Sequence, residues 1–312
     1  MFAPFAWINR IPPATRGAVL LVIGISIFGM SDNLTLIVSD DVGVGQFHFS
    51  RSMISIFMVI ALGRMLGMAV IPTLWKPVLA RTVFIVLSML LYFGVLPMMP
   101  IAEAGAGLFT SPIFVLIFSR IFFGEAIGWR RIVAVGIGSL GVLLVLQPGG
   151  DGFTVFHLLP VLAGASYAMG SIITFRHCQE ESSLAILMSF LVAIGICGAI
   201  ATTGLTLFPV PTSLLNEAPF LFRPWQMVGV TFWLWMVVIA AGASLALSLM
   251  TRAYQLTKTS YAAIYEYAYV ISAGLFGWLI WGTVPNLMSA IGISLIIGAG
   301  VIIVLAQQKY AE

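Results

Sequence analysis

The sequence predicts an all-α integral membrane protein: ten transmembrane helices in two inverted five-helix repeats. Composition, the placement of basic residues and an internal repetition predict it. Of 312 residues, 61% are hydrophobic and 8% are charged, where a soluble domain carries about 25% charged residues. Mean hydropathy is +1.10. This composition excludes a soluble enzyme or a nucleic-acid-binding module. Ten apolar stretches occupy 17–39, 43–65, 77–97, 101–122, 131–148, 154–175, 184–208, 227–250, 259–281 and 285–306. Each is near the roughly 20 residues that a helix needs to cross the hydrocarbon layer. Lys and Arg are kept on the cytoplasmic side of membrane proteins. On the ten-span map, twelve of the 14 basic residues lie on one face, Arg223 lies on the other and Arg51 is inside a span. Both termini are therefore expected in the cytoplasm, with the chain in the plasma membrane (the inner membrane of a bacterium).

Residues 1–16 mix aromatics, prolines, Arg10 and Arg16, and are expected to form a cytoplasmic, interfacial arm. Span 1 has no small-residue cleavage site before it ends, so it is read as a retained helix, not a signal peptide. It carries Ser31, Asp32 and Asn33. Span 2 carries His48 and Arg51. Both charges lie at a similar depth, and spans 1 and 2 must be antiparallel neighbours, so an Asp32–Arg51 pair is expected. His48 is one turn outward on the same face as Arg51, and Gln46 adds a further polar group nearby. Arg64, Lys76 and Arg81 read as charges flanking the 2–3 loop, and Arg120, Arg130 and Arg131 flank the 4–5 loop.

Span 4 holds Thr110 and Ser111, then Pro112, which removes a backbone hydrogen bond and kinks the helix as a hinge. Glu103, near its outer end, reads as solvated. Glycines 136, 138 and 141 of span 5 and 292, 298 and 300 of span 10 permit close approach of those spans. They read as supports set away from the site. Span 6 carries Ser166, Tyr167 and Ser171. The 209–226 segment, with four prolines and Trp225, is expected along the interface. Trp7, Trp75, Trp129, Trp225, Trp278 and Trp281 fall near span ends, where amphipathic rings settle at headgroup depth.

Span 9 is the unusual one. Glu266 sits among tyrosines well inside an apolar run, where an acid costs about 2.5–3.5 kcal/mol if it meets lipid. Tyr261, Tyr265 and Tyr269 recur every fourth residue and make one tilted stripe, with Glu266 on its flank about 60° away. This face reads as the wall of a polar, aromatic cavity.

The halves repeat in order. Span 5 ends in Gly-Val-Leu-Leu-Val-Leu at 141–146, and span 10 ends in Gly-Val-Ile-Ile-Val-Leu at 300–305. Gly124-Glu125 and Gly282-Thr283 precede those spans. Gly24, Ser26 and Ser31 of span 1 match Gly164, Ser166 and Ser171 of span 6. An odd number of spans per half inverts the second half, so the repeats are 17–148 and 154–306, followed by a cytoplasmic tail at 307–312. Inverted repeats place a substrate site near the midplane.

With the Gly-Glu turn and the G-V-x-x-V-L endings, this organisation resembles the EamA branch of the drug/metabolite transporter superfamily. The arm-to-span-1 stretch and the Gln-Phe-x-Phe-x-Arg run at 46–51 are most similar to bacterial aromatic-amino-acid exporters. The resemblance implies export of aromatic and other neutral amino acids and related small metabolites. Family members often carry a proline in the fourth helix of both halves, whereas Pro112 has its counterpart at about Val270 here.

An amino-acid cargo needs a cation for its carboxylate and an acceptor for its ammonium. Arg51 and Glu266 have the required signs, and Ser31, Asp32, Asn33, His48, Thr110, Ser111, Ser166, Tyr167, Ser171, Tyr261, Tyr265 and Tyr269 complete the candidate set. No phosphate-binding loop is present, so ATP is not expected to drive the protein. No catalytic residue, metal, cofactor or nucleic-acid partner is expected; the bilayer and a small-molecule substrate are, with a monomer as the assembly. The alternative is an integral membrane enzyme acting on a lipid or polyprenyl substrate, which would gather acids or histidines at one interface. His48, His157 and His177 share no ligand spacing. The two cysteines, Cys178 and Cys197, make no disulfide framework.

Overall fold

The computed structural model describes residues 12–99, 101–108, 110–124, 128–147, 155–257, 262, 265–266, 268–284 and 286–308. Every regular element among them is helical, as the apolar stretches require. The helices are α1 (Pro13–Ser39), α2 (Val44–Leu66), α3 (Trp75–Phe93), α4 (Ile101–Leu108), α5 (Ser111–Phe123), α6 (Trp129–Leu146) and α7 (Leu159–His177). They continue with α8 (Ser183–Leu207), the short α9 (Thr212–Glu217) and α10 (Pro219–Phe222), α11 (Val230–Leu256), α12 (Ala268–Trp281) and α13 (Leu287–Gln308). Five segments, led by Thr15–Ser39 and Val44–Leu66, are long and apolar enough to cross a membrane.

The fourth apolar stretch is not one helix. It divides into α4 and α5, and Pro112 occupies the first turn of α5, where its missing N–H has no helical partner to lose. The ninth stretch is also interrupted: Glu266 lies in a turn and α12 starts at Ala268. The glycines that marked the repeat now have a physical role. Gly124 caps α5 at φ 62° and Gly282 follows α12 at φ 68°. Both adopt the left-handed conformation that costs a Cβ-bearing residue most, so the fourth and ninth stretches end in the same turn.

Packing is reciprocal between the halves. The first stretch, α1, packs on the eighth and ninth, α11 and α12. The sixth, α7, packs on the third and fourth, α3 with α4 and α5. The second and seventh, α2 and α8, pair with each other, as do the fifth and tenth, α6 and α13. Missing side chains permit two of these approaches: a Cβ built on Gly198 would lie 2.5 Å from the Gly45 carbonyl oxygen, and one on Gly292 would lie 2.5 Å from that of Gly141. Gly136 and Gly298 face open space instead, so they do not bring α6 and α13 together. Aromatic residues fill the centre, with Phe28, Phe47, Tyr92, Phe93 and Tyr269 fully buried. Trp75, Trp129, Trp225, Trp278 and Trp281 are exposed, as interface anchors should be.

Candidate functional site

Two buried carboxylates sit where the interrupted stretches meet the bundle centre. Glu266, 1% exposed, lies in the turn ahead of α12. Ser111, the first residue of α5, donates its hydroxyl to Glu266 Oε2. The break therefore sets a carboxyl group near the first turns of two helices, where unpaired backbone N–H groups and the helix dipole favour acceptors.

Asp32 is also 1% exposed. Its Oδ2 accepts hydrogen bonds from Tyr92 Oη at 2.7 Å and Tyr269 Oη at 2.6 Å, and the two phenols contact each other. The expected Asp32–Arg51 pair does not form. Arg51 Nη2 contacts His48 Nδ1 at 3.2 Å, and its guanidinium lies 4.8 Å from the Phe93 ring centroid and 5.1 Å from that of Phe47. Two phenol donors meet the needs of the carboxylate, and aromatic faces meet those of the cation. Each charge has a partner that does not require the other.

The tyrosine stripe of span 9 is not a single wall. Tyr269 turns inward to Asp32, and its ring occupies the space left by Gly105, where a Cβ would come 2.1 Å from Tyr269 Cε1. Tyr265 is half-buried against the apolar core, and Tyr261 lies outside the described residues. An aromatic cavity is instead walled by Tyr167 and Tyr254, whose rings are 6.2 Å apart, with Phe28, Ser171, Thr174 and Arg81. It is narrow, about 20 Å³, enough for about one water. The charges of Glu266 and Arg81 both act on Tyr167, and Ser171 hydrogen-bonds to it. Glu266, Ser111, Tyr167 and Ser171, predicted on three separate spans, thus form one neighbourhood.

Other predicted residues bond to backbone carbonyls or lie outside this cavity. Ser31 donates to the Ile239 carbonyl at 3.3 Å and Thr110 to that of Gly107 at 2.8 Å. Asn33 donates to the carbonyls of Gly29 and Ala273, and Ser166 is half-buried outside the central cavity lining. Asn33 also lines a larger crevice of about 610 Å³ with Trp281, Val145, Ser289 and Ile293. Spans 5 and 10, expected to stand clear of any cavity, therefore contribute to one. The side chains of Glu103 and His157 lie outside the described residues.

Sequence reasoning missed Tyr92 and Arg81. Both are on α3, eleven residues apart, within about 20° of one face at 100° per residue. The buried series Val78, Arg81, Thr82, Ile85, Met89 and Tyr92 follows that face. Arg81 was absorbed into the basic charges of the 2–3 loop, although its position on an otherwise apolar face carried the signal.

Residues 15–147 match the EamA-like transporter family. That match lies within the first half of the chain. Relatives extend the similarity into the second half. A pseudopaline exporter of Pseudomonas aeruginosa is 26% identical over 300 residues, covering 93% of this chain and 94% of that protein. An S-adenosylmethionine uptake transporter of Rickettsia bellii is 26% identical across 73% of this chain and 74% of its own length. A riboflavin transporter of Brucella anthropi is 28% identical over 64% of this chain and 66% of that protein, just under two thirds of its length. A crystal structure shares the fold, with a TM-score of 0.71 at 18% identity, covering 95% of this chain and 98% of that one. The chain, with five helices long and apolar enough to cross a membrane, is thus similar over most of its length to transporters of bacteria. These three relatives are named for different cargoes, none of them a simple amino acid, so their names do not support the amino-acid-exporter subtype.

Proposed function

We propose that this EamA-like protein is a secondary transporter that exports small amphipathic metabolites, aromatic and other neutral amino acids among them, by alternating access. It sits in the plasma membrane with both termini cytoplasmic, as ten spans in two oppositely inserted halves. The basic-residue bias supports this orientation, and the reciprocal packing of α1 and α7 supports the two halves. The observation that carries the reading is the meeting of two interrupted spans at a buried acid: Ser111 at the start of α5 against Glu266 ahead of α12. Broken helices at corresponding places in two repeats are how transporters of this type build a site in lipid. An intramembrane acid is costly unless it has a task. Pro112 lies at the break in the fourth span and is the hinge candidate.

Counterflow of labelled L-phenylalanine in proteoliposomes tests this. The wild-type protein is expected to accumulate label in a saturable way that unlabelled neutral amino acids suppress. Glu266→Gln is expected to lower the initial rate about tenfold or more while the protein stays folded, as loss of a charged hydrogen-bond partner implies. Equal, unsaturable label in protein-containing and empty liposomes would overturn the amino-acid cargo. A wild-type rate in Glu266→Gln would overturn the site.

A further inference from the structure

A second buried charge faces the central cavity, and its chemistry complements Glu266. Arg81 is 7% exposed. Its Nε donates to Thr174 Oγ1 at 3.3 Å, and Thr174 Oγ1 donates in turn to the Gly170 carbonyl at 2.8 Å. Its Nη1 is buried with no hydrogen-bond partner. The side chain lines the cavity with Tyr167, Ser171 and Tyr254, and the Tyr254 hydroxyl is also unpartnered. A guanidinium offers a planar fork of donors matched to a carboxylate. Leaving one arm of that fork buried and unmatched is costly. Arg51, by contrast, rests on two aromatic rings and a histidine. Glu266, which accepts from Ser111, is close enough for its charge to act on Tyr167, as that of Arg81 does. The cavity thus has an unmatched donor beside Tyr167, and a buried carboxyl group lies in reach of the same tyrosine.

We propose that Arg81, oriented by Thr174, receives the carboxylate of a zwitterionic cargo whose ammonium lies against Glu266, with Tyr167 and Tyr254 beside its side chain. This rests on the transporter reading and gives its cargo a charge pattern. Arg81, not Arg51, supplies the positive contact. Because the cavity has room for about one water, the walls contributed by α3, α7 and α11 separate to admit the cargo.

The test uses three probes of one shape: L-phenylalanine, phenethylamine, which lacks the carboxylate, and hydrocinnamate, which lacks the ammonium. Affinity for the purified full chain is measured by competition and flux by counterflow, with folding checked by size exclusion and circular dichroism. The wild-type protein is expected to prefer L-phenylalanine over either analogue by about tenfold to a hundredfold, the worth of a charged hydrogen-bonded contact. Arg81→Gln is expected to lose that preference over phenethylamine, with phenethylamine binding changed by less than about threefold. Glu266→Gln is expected to lose the preference over hydrocinnamate. A merely structural arginine would weaken all three probes together. Equal wild-type affinity for the three probes overturns the proposal without any variant, so a variant that fails to fold leaves it decidable. An unchanged preference in a folded Arg81→Gln protein also overturns it, and in both cases saturable L-phenylalanine counterflow leaves the transporter reading standing. If L-phenylalanine is neither bound nor moved by the wild-type protein, the amino-acid cargo falls and the zwitterion site falls with it.

Discussion

Asp32 shows how a single buried charge is satisfied without a counter-ion. Its Oδ2 takes two phenol donors, and a buried acceptor left without its donors would cost about 1–3 kcal/mol. Tyr269 is held over Gly105 for this purpose. Gly105→Ala is expected to displace Tyr269 and cost about 1–3 kcal/mol, the usual penalty for overfilling a packed site, read as a lower melting temperature in detergent. A double-mutant cycle separates the partners of Asp32. Asp32→Asn with Tyr269→Phe is expected to show a coupling energy of about 1 kcal/mol or more, and Asp32→Asn with Arg51→Ala a smaller one. A larger coupling to Arg51 would restore the ion pair expected from the sequence. That Asp32 and Glu266 are buried in protein was legible, because a membrane span has no other inexpensive place for them. Their partners were not, because Tyr92 and Arg81 come from a span whose polar face is visible only as a periodicity.

At the scale of elements, the loops are tied across the halves. At one end of the bundle, Glu181 between α7 and α8 is 5% exposed. Its Oε2 accepts from Thr73 N at 2.7 Å, Leu74 N at 2.8 Å and Thr73 Oγ1 at 3.0 Å in the 2–3 loop. Ser182 Oγ adds a bond to the Ala69 carbonyl at 2.6 Å. On the opposite face, Gln46 and Gln226 exchange two bonds of 2.8 Å between the start of α2 and the segment before α11. Burial pushes the Glu181 carboxyl up, but the bonds from Leu74, Thr73 and Ser182 outweigh it and hold the group below its ordinary 4.5. A depressed native pKa contributes stability that is present above the unfolded value and is lost as pH falls through the folded one. The Glu181 tie is therefore expected to be intact at neutral pH and to weaken only below about 4.5. Glu181→Ala is expected to cost about 1.5–3 kcal/mol at pH 7 and to flatten the acid limb of a melting-temperature profile. An acid limb identical to the wild type would remove Glu181 from that role.

The break in the fourth stretch was legible from Pro112, which cannot sit in a helix interior without loss of a bond. The break in the ninth carries no proline. Beside it lie the Ser111–Glu266 and Tyr269–Asp32 bonds, both to residues distant in sequence. Gly124 and Gly282 were visible as a repeat, but their common left-handed conformation appears only in the folded backbone.

For the whole molecule, the apolar stretches predict helices, and the described residues are helical where they are regular. The pairing of those helices was not in the sequence, because lipid-facing and protein-facing apolar residues look alike in composition. In the resulting arrangement, each half supplies one interrupted span to a common centre, and the two loop ties lie on opposite faces. Alternating access then requires that the neighbourhood of Ser111 and Glu266 meet water from each side in turn. The most direct measurement is labelling of Ser111→Cys, in a background with Cys178 and Cys197 replaced, by a membrane-impermeant maleimide. The reagent is applied from inside or outside oriented proteoliposomes, with and without L-phenylalanine. The account predicts labelling from both sides, with cargo changing the ratio of the two rates. Labelling from one side only, at a rate indifferent to cargo, would contradict it.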